Sequence, residues 1–97
     1  LGMGDDGHIA SLFPPLSDLA FSDEVLVLAT ATERFDVRDR ISLSLNTIAS
    51  ANTSMFLLSG NGKKKIWKGM MASKEDERHW PAKAVLEQTN ATVFARW

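Results

Sequence analysis

The sequence predicts an α/β fold with parallel strand pairs. Two observations carry this. The runs Val25-Leu26-Val27-Leu28-Ala29 and Met55-Phe56-Leu57-Leu58 are continuously apolar, as in strands covered on both faces. Segments of helical spacing lie between and after such runs, and strands separated by helices argue for a parallel sheet.

The elements follow in order. After a glycine-rich opening, His8 to Phe13 are expected to make about one helical turn, which Pro14-Pro15 stops because proline lacks the N–H and restricts its predecessor. Leu16 to Ser22 reads as a connection, and the first apolar strand follows. Thr30 to Asp39 is polar and reads as a loop. Ile41, Leu43 and Leu45 alternate with Ser42 and Ser44, a strand period that changes to helical spacing at Leu45, Ile48 and Ala49. Ala51 to Thr53 is a break. The second apolar strand ends at Ser59-Gly60-Asn61-Gly62, and a helix should follow with Ile66, Trp67, Met70 and Met71 on its core face. Ala72 to Trp80 is charged and expected to be exposed, His79 with it. Pro81 suits the first position of another helix, carrying Ala82, Val85, Leu86 and Thr89 inward. Thr92 to Trp97 reads as a last strand; Trp80 and Trp97 carry no assignment.

Ninety-seven residues make one small domain at most. A hydrophobic content of 44% and a charged content of 24% are ordinary globular values. A net charge of −1 gives no sign of a nucleic-acid or anionic-membrane partner. The absence of cysteine removes disulfides, thiol catalysis and cysteine-ligated metal sites. No apolar run approaches the ~20 residues that span a bilayer. A glycine turn normally follows a buried strand, and none precedes this one. The chain is therefore expected to be the later part of a larger domain.

The opening stretch GMGDDGH contains a G-x-G-x-x-G pattern at Gly2, Gly4 and Gly7. A dinucleotide fingerprint needs a long helix after the glycines and an acidic residue at the end of the next strand. Here Pro14 intervenes, and Asp23 and Glu24 precede the next strand. What remains is a tight turn that presents Asp5, Asp6 and His8. Glycine permits positive φ and a close approach to the backbone. Histidine, with an ordinary pKa of about 6.5, exchanges protons near neutrality. Asp6, two residues away, is placed to orient it. On residue types alone, a loop histidine with two solvated aspartates is an equal alternative.

Lys63 follows the second strand at a helix start, where both its ammonium and free N–H groups favour an anion. The plainer alternative makes Lys63, Lys64, Lys65 and Lys68 one solvated helix face. Arg40 either binds an anion or pairs with Asp39 or Asp36. His8 and His79 are the two histidines, and their separation is not a metal-ligand spacing.

LGMGDDGHIASLFP, residues 1–14, closely resembles the signature of the 6-phosphogluconolactonases, within the glucosamine-6-phosphate deaminase/isomerase superfamily. RISLSL (Arg40 to Leu45), FLLSGNGK (Phe56 to Lys63) and WPAKAV (Trp80 to Val85) resemble further segments of that family, in family order. The resemblance implies a doubly wound, mostly parallel, Rossmann-like α/β fold, with residues 1–97 the C-terminal part of a single domain, inactive alone. It implies hydrolysis of 6-phospho-D-glucono-1,5-lactone to 6-phosphogluconate in the pentose phosphate pathway, in the cytoplasm, without metal or cofactor. His8 would be the general base and Asp6 its orienting partner. Backbone N–H groups around Gly4 and Gly7 would serve the oxyanion or a sugar hydroxyl. Lys63 would bind phosphate, with Arg40 as a second candidate. Arg34 sits in Glu33-Arg34-Phe35-Asp36, which resembles a phosphate-binding Arg-Phe segment of the deaminases.

In those deaminases a Phe-Asn-Glu-Pro sequence follows the turn, and its glutamate assists ring opening. Here Ser11, Leu12, Phe13 and Pro14 stand in those positions, and Phe13 cannot transfer a proton. That favours lactone hydrolysis. A sugar-phosphate isomerase or deaminase and a truncated, non-catalytic phosphosugar-binding module are the alternatives. Nucleic-acid binding through the lysine cluster would need a wider basic surface.

Overall fold

The computed structural model describes all of residues 1–97. A short 3-10 turn, Asp18–Phe21, precedes β1 (Val27–Ala31), β2 (Asp39–Leu43) and α1 (Leu45–Ala49). Then come β3 (Met55–Ser59), α2 (Asn61–Ala72), α3 (Pro81–Gln88) and β4 (Thr92–Arg96).

β3 and β4 pair in parallel, with Met55 opposite Thr92 and Ser59 opposite Arg96. The two helices between them form the expected crossover. β1 and β2 do not fit the expected parallel arrangement. They pair antiparallel in a separate sheet, with Val27 opposite Leu43 and Ala31 opposite Asp39. The reason is reach: a parallel connection needs about a dozen residues or more, and residues 32–38 only turn the chain back.

The strand faces also differ from expectation. In β1 Leu28 is buried while Val27 and Ala29 are exposed; in β3 Phe56 and Leu58 are buried while Met55 and Leu57 are exposed. The chain supplies helices to one face of these strands only. Phe94, opposite Leu57, lies exposed on the same open face. In β2 it is Ser42 that points inward, opposite Leu28, and Ile41 is 77% exposed. Ser42 Oγ accepts from Ser11 N at 3.1 Å and donates to Leu43 O at 2.9 Å, so its burial is satisfied.

The change of period at Leu45 has a local cause. Ser44 is the N-cap of α1, in extended conformation, and its side chain accepts from Thr47 N at 3.1 Å. Its hydroxyl also lies 2.7 Å from Thr47 Oγ1, which donates to Leu26 O. Pro81 occupies the first turn of α3, where its missing N–H costs nothing. The core gathers Phe56, Leu45 and Ile48 with Met70 of α2 and Ala82 and Val85 of α3. Phe56 is fully buried, which contributes about 2 kcal/mol. Ile66 and Trp67 pack against this core, whereas Met71 is exposed: one residue past Met70 is about 100° further round the helix. Thr89 is half-buried at the end of α3, its hydroxyl donating to Val85 O at 2.7 Å.

The opening loop hangs from this framework. Leu1 lies beside β3 in strand fashion: its N donates to Met55 O at 2.6 Å, and Leu57 N donates to Leu1 O at 2.9 Å. At the other end Ala82 N, in the first turn of α3, donates to Gly7 O at 3.1 Å. Residues 8–13 are not the expected helical turn. Ala10 takes a φ of 49°, in the left-handed region, and Leu12 N reaches back to Ile9 O at 2.9 Å, a tight turn in place of a helix. A single turn before Pro14 lacks the length that offsets helix nucleation.

Ser44→Ala is expected to cost about 1 kcal/mol. A lower urea midpoint with an unchanged slope would show it.

Candidate active site

Three hydrogen bonds shape the loop: Gly4 N donates to His8 O at 2.8 Å, Gly7 N to Gly4 O at 3.0 Å, and His8 N to Asp6 Oδ1 at 3.1 Å. The same Asp6 oxygen lies 2.6 Å from His8 Nδ1. Asp6 and His8 side chains are only 10% and 18% exposed. An ionised Asp6 accepts from Nδ1–H, which selects the tautomer whose Nε2 carries the free lone pair. Nε2 has no hydrogen-bond partner in the chain.

Both inner glycines are required. A Cβ on Gly4 would overlap Cε1 and Nδ1 of the His8 ring. Gly7 has a φ of +82°, and a Cβ there would stand 2.6 Å from Trp80 Cε3. The N–H groups of the two glycines themselves are taken up within the loop, by His8 O and Gly4 O. The glycines shape the turn and give close approach, while the N–H groups of Asp5 and Asp6 lack partners in the chain.

The cations arrive from other elements. Lys63, in the first turn of α2, places Nζ 3.2 Å from Asp5 Oδ1, which joins α2 to the loop. Lys65 and Lys68 are exposed. Arg40 of β2 pairs with neither Asp39 nor Asp36. Its Nε donates to Val37 O at 2.9 Å, and its guanidinium carbon lies 5.5 Å from the Phe13 ring centroid. Arg34 is exposed, makes no ion pair, and borders a depression shared with Asp6 and Phe13. A second depression is lined by Gly4, His8 and Ala10. Lys63 thus reaches the loop through Asp5, Arg40 reaches Phe13, and Arg34 shares a depression with Asp6 and Phe13.

Two residues gain roles that the sequence reading did not give them. Phe35 packs on His8, with ring centroids 5.2 Å apart. Trp80 backs Gly7, and its buried Nε1 has no hydrogen-bond partner. The Arg-Phe segment marked Phe35 only through its arginine neighbour, and Trp80 carried no signal beyond preceding Pro81. No group of three or more His, Asp or Glu side chains converges in a metal-binding arrangement. His79 is a surface residue, as expected, 3.0 Å from Asp76. No helix is long and apolar enough to cross a membrane.

Residues 1–94 match the family model described as glucosamine-6-phosphate isomerases/6-phosphogluconolactonase. The chain belongs to this family. It is 43% identical over 96 residues to a probable 6-phosphogluconolactonase of Dictyostelium discoideum, covering 99% of this chain and 41% of that protein. The 6-phosphogluconolactonase structure from Shewanella baltica superposes with a TM-score of 0.83 at 31% identity, covering 100% of this chain and 42% of that one. A putative 6-phosphogluconolactonase from Neisseria gonorrhoeae gives a TM-score of 0.81 at 33% identity, with 100% and 43% covered. The chain thus spans about two-fifths of the length of these relatives. The expected α/β, Rossmann-like fold holds for this stretch, with one parallel and one antiparallel strand pair.

Gly4→Ala is expected to expel the imidazole from Asp6 and to cost about 1–3 kcal/mol. A changed tautomer pattern in the ¹H–¹⁵N imidazole spectrum would show the first effect. Away from the site, the hydrogen bond from His79 holds the Asp76 carboxyl below its ordinary value of 3.8. A depressed folded value means that this contact supports the fold above the ordinary carboxylate range and is lost as pH falls through the folded value. His79→Ala should raise the Asp76 midpoint in a ¹³C carboxyl titration.

Proposed function

We propose that this protein hydrolyses 6-phospho-D-glucono-1,5-lactone to 6-phosphogluconate, with His8 as general base. The observation that carries the reading is the Asp6–His8 pair: Nδ1 is held at 2.6 Å by a largely buried carboxylate, and Nε2 is unbonded. Family membership supplies the substrate class. Opening a lactone needs a water made nucleophilic, a charge sink for the carbonyl oxygen and a proton for the leaving ring oxygen. Nε2 takes the proton from water as its oxygen bonds to the lactone carbonyl carbon. The imidazolium, held by Asp6, then returns that proton as the bond to the ring oxygen breaks, leaving a free hydroxyl and a carboxylic acid, whose remaining proton passes to solvent to give the carboxylate. The unpartnered N–H groups of Asp5 and Asp6 are the turn's available donors for the developing oxyanion.

Lys63, with Arg34 and Arg40, provides the positive charge that a phosphate dianion requires. Lys63 is the primary ligand of the three, since its ammonium stands at a helix N-terminus beside the loop. The isomerase or deaminase reading has less support: the phenyl ring of Phe13, with no transferable proton, lies 4.8 Å from the imidazole. A cytoplasmic location goes with the proposed reaction, and a cysteine-free chain suits a reducing compartment.

Acid release from the lactone, followed in a pH-stat with spontaneous hydrolysis subtracted, tests this in the full-length protein. His8→Ala should lower kcat by about 10²–10⁴-fold. Lys63→Ala should act mainly by raising KM. No rate above background in the unaltered protein would retire the lactonase reading in favour of an isomerase or a binding module.

A further inference from the structure

A hydrogen bond to one nitrogen is a pivot. The contact with Asp6 fixes which nitrogen faces the carboxylate, yet the imidazole can still swing about that axis. The terminal torsion of histidine has broad, two-fold wells that do not stop it. Packing must do so. Gly4 closes one side, since a Cβ there would overlap the ring. Phe13 lies 4.8 Å from the imidazole centroid at an interplanar angle of 51°. Phe35 lies 5.2 Å away at 70°, an edge-on contact. The two phenyl rings are 5.9 Å apart, so the three rings form one cluster.

Gly4 and Phe13 belong to the same loop as His8. Phe35 comes from residues 32–38, the connection between β1 and β2. That connection is tied down on its own account: Thr32 N donates to Arg38 O at 3.0 Å, and Arg34 N to Thr32 Oγ1 at 3.2 Å. Arg40 Nε holds Val37 O at 2.9 Å, while its guanidinium carbon stands 5.5 Å from the Phe13 centroid. One arginine therefore braces both the connection that carries Phe35 and the ring that faces it.

We infer that Phe35 is a positioning residue for His8: from the β1–β2 connection, its ring, steeply inclined to the imidazole, holds it with Nδ1 on Asp6 and Nε2 free. The inference rests on His8 as the reacting base. Phe35 touches neither water nor lactone in this role. Its removal should slow the chemical step while leaving substrate binding alone.

Phe35→Leu keeps apolar bulk and removes the ring. It is expected to lower kcat for the lactone about tenfold, the size of one aromatic pair, with KM little changed. Phe35→Tyr restores the ring and should recover most of that loss. In the same proteins, the His8 ring proton resonances are expected to carry a ring-current shift from Phe35. They should move in Phe35→Leu and return in Phe35→Tyr. An unchanged kcat in Phe35→Leu, with His8→Ala inactive, overturns the inference and leaves the lactonase reading standing. If the unaltered protein fails to open the lactone, that reading falls, and the Nδ1–H proton of His8 decides whether Phe35 holds the ring: a hydrogen bond to Asp6 that keeps its strength and tautomer in Phe35→Leu overturns the positioning role, and one that is weakened there and restored in Phe35→Tyr upholds it.

Discussion

The close approach of Gly4 to the His8 imidazole sets the shape of the opening loop. No side chain can stand at Gly4 without overlapping the ring, and the bond from Gly4 N to His8 O closes the turn around that contact. Gly7 repeats the device on the other side, where the Trp80 indole fills the space a side chain would take. Two absent side chains thus admit two rings. One ring is that of the proposed base, and the other belongs to the residue that leads into α3. Because Ala82 N holds Gly7 O, the helix and the indole grip the loop together. The histidine is presented from the folded core, although it stands in an irregular segment.

Charge is layered around it. The inner pair, Asp6 and His8, is largely shielded from water, and shielding strengthens the attraction between opposite charges. The outer pair, Asp5 and Lys63, is 66% and 32% exposed, where salt screening weakens it. Between these layers Arg40 spends its guanidinium on a carbonyl and an aromatic face instead of a carboxylate. The inner layer keeps a ring oriented, and the outer layer is loose enough to rearrange around an anion.

What could be read from the residues in order was local. The two-residue spacing of Asp6 and His8, the change of period at Leu45, the glycine ahead of α2 and the proline at α3 all act within about one turn of chain. What could not be read depends on distant partners. The antiparallel pairing of β1 and β2 is decided by the reach of residues 32–38, and their sequence shows only polarity. Ser42, a serine in an apolar alternation, points inward because Leu28 lies opposite and Ser11 needs an acceptor. The N–H groups of Gly4 and Gly7 are consumed by carbonyls of the same turn, which a glycine pattern does not reveal. Phe35 meets His8 from the connection of the β1–β2 hairpin, far from it in the chain, so the contact is one of tertiary packing.

The pairing of Lys63 with Asp5 has a consequence for discrimination among anions. Any anion that reaches Nζ exchanges places with a carboxylate already there. The pair it breaks is exposed and worth about 0–1 kcal/mol, and Asp5 regains water as it leaves. A monovalent visitor therefore trades one charge for one charge and gains almost nothing. A dianion brings a second charge to the same ammonium and helix end, and its gain survives the trade. If Lys63 takes the phosphate proposed above, Asp5 acts as a tethered counterion, which a dianion displaces more readily than chloride or acetate does.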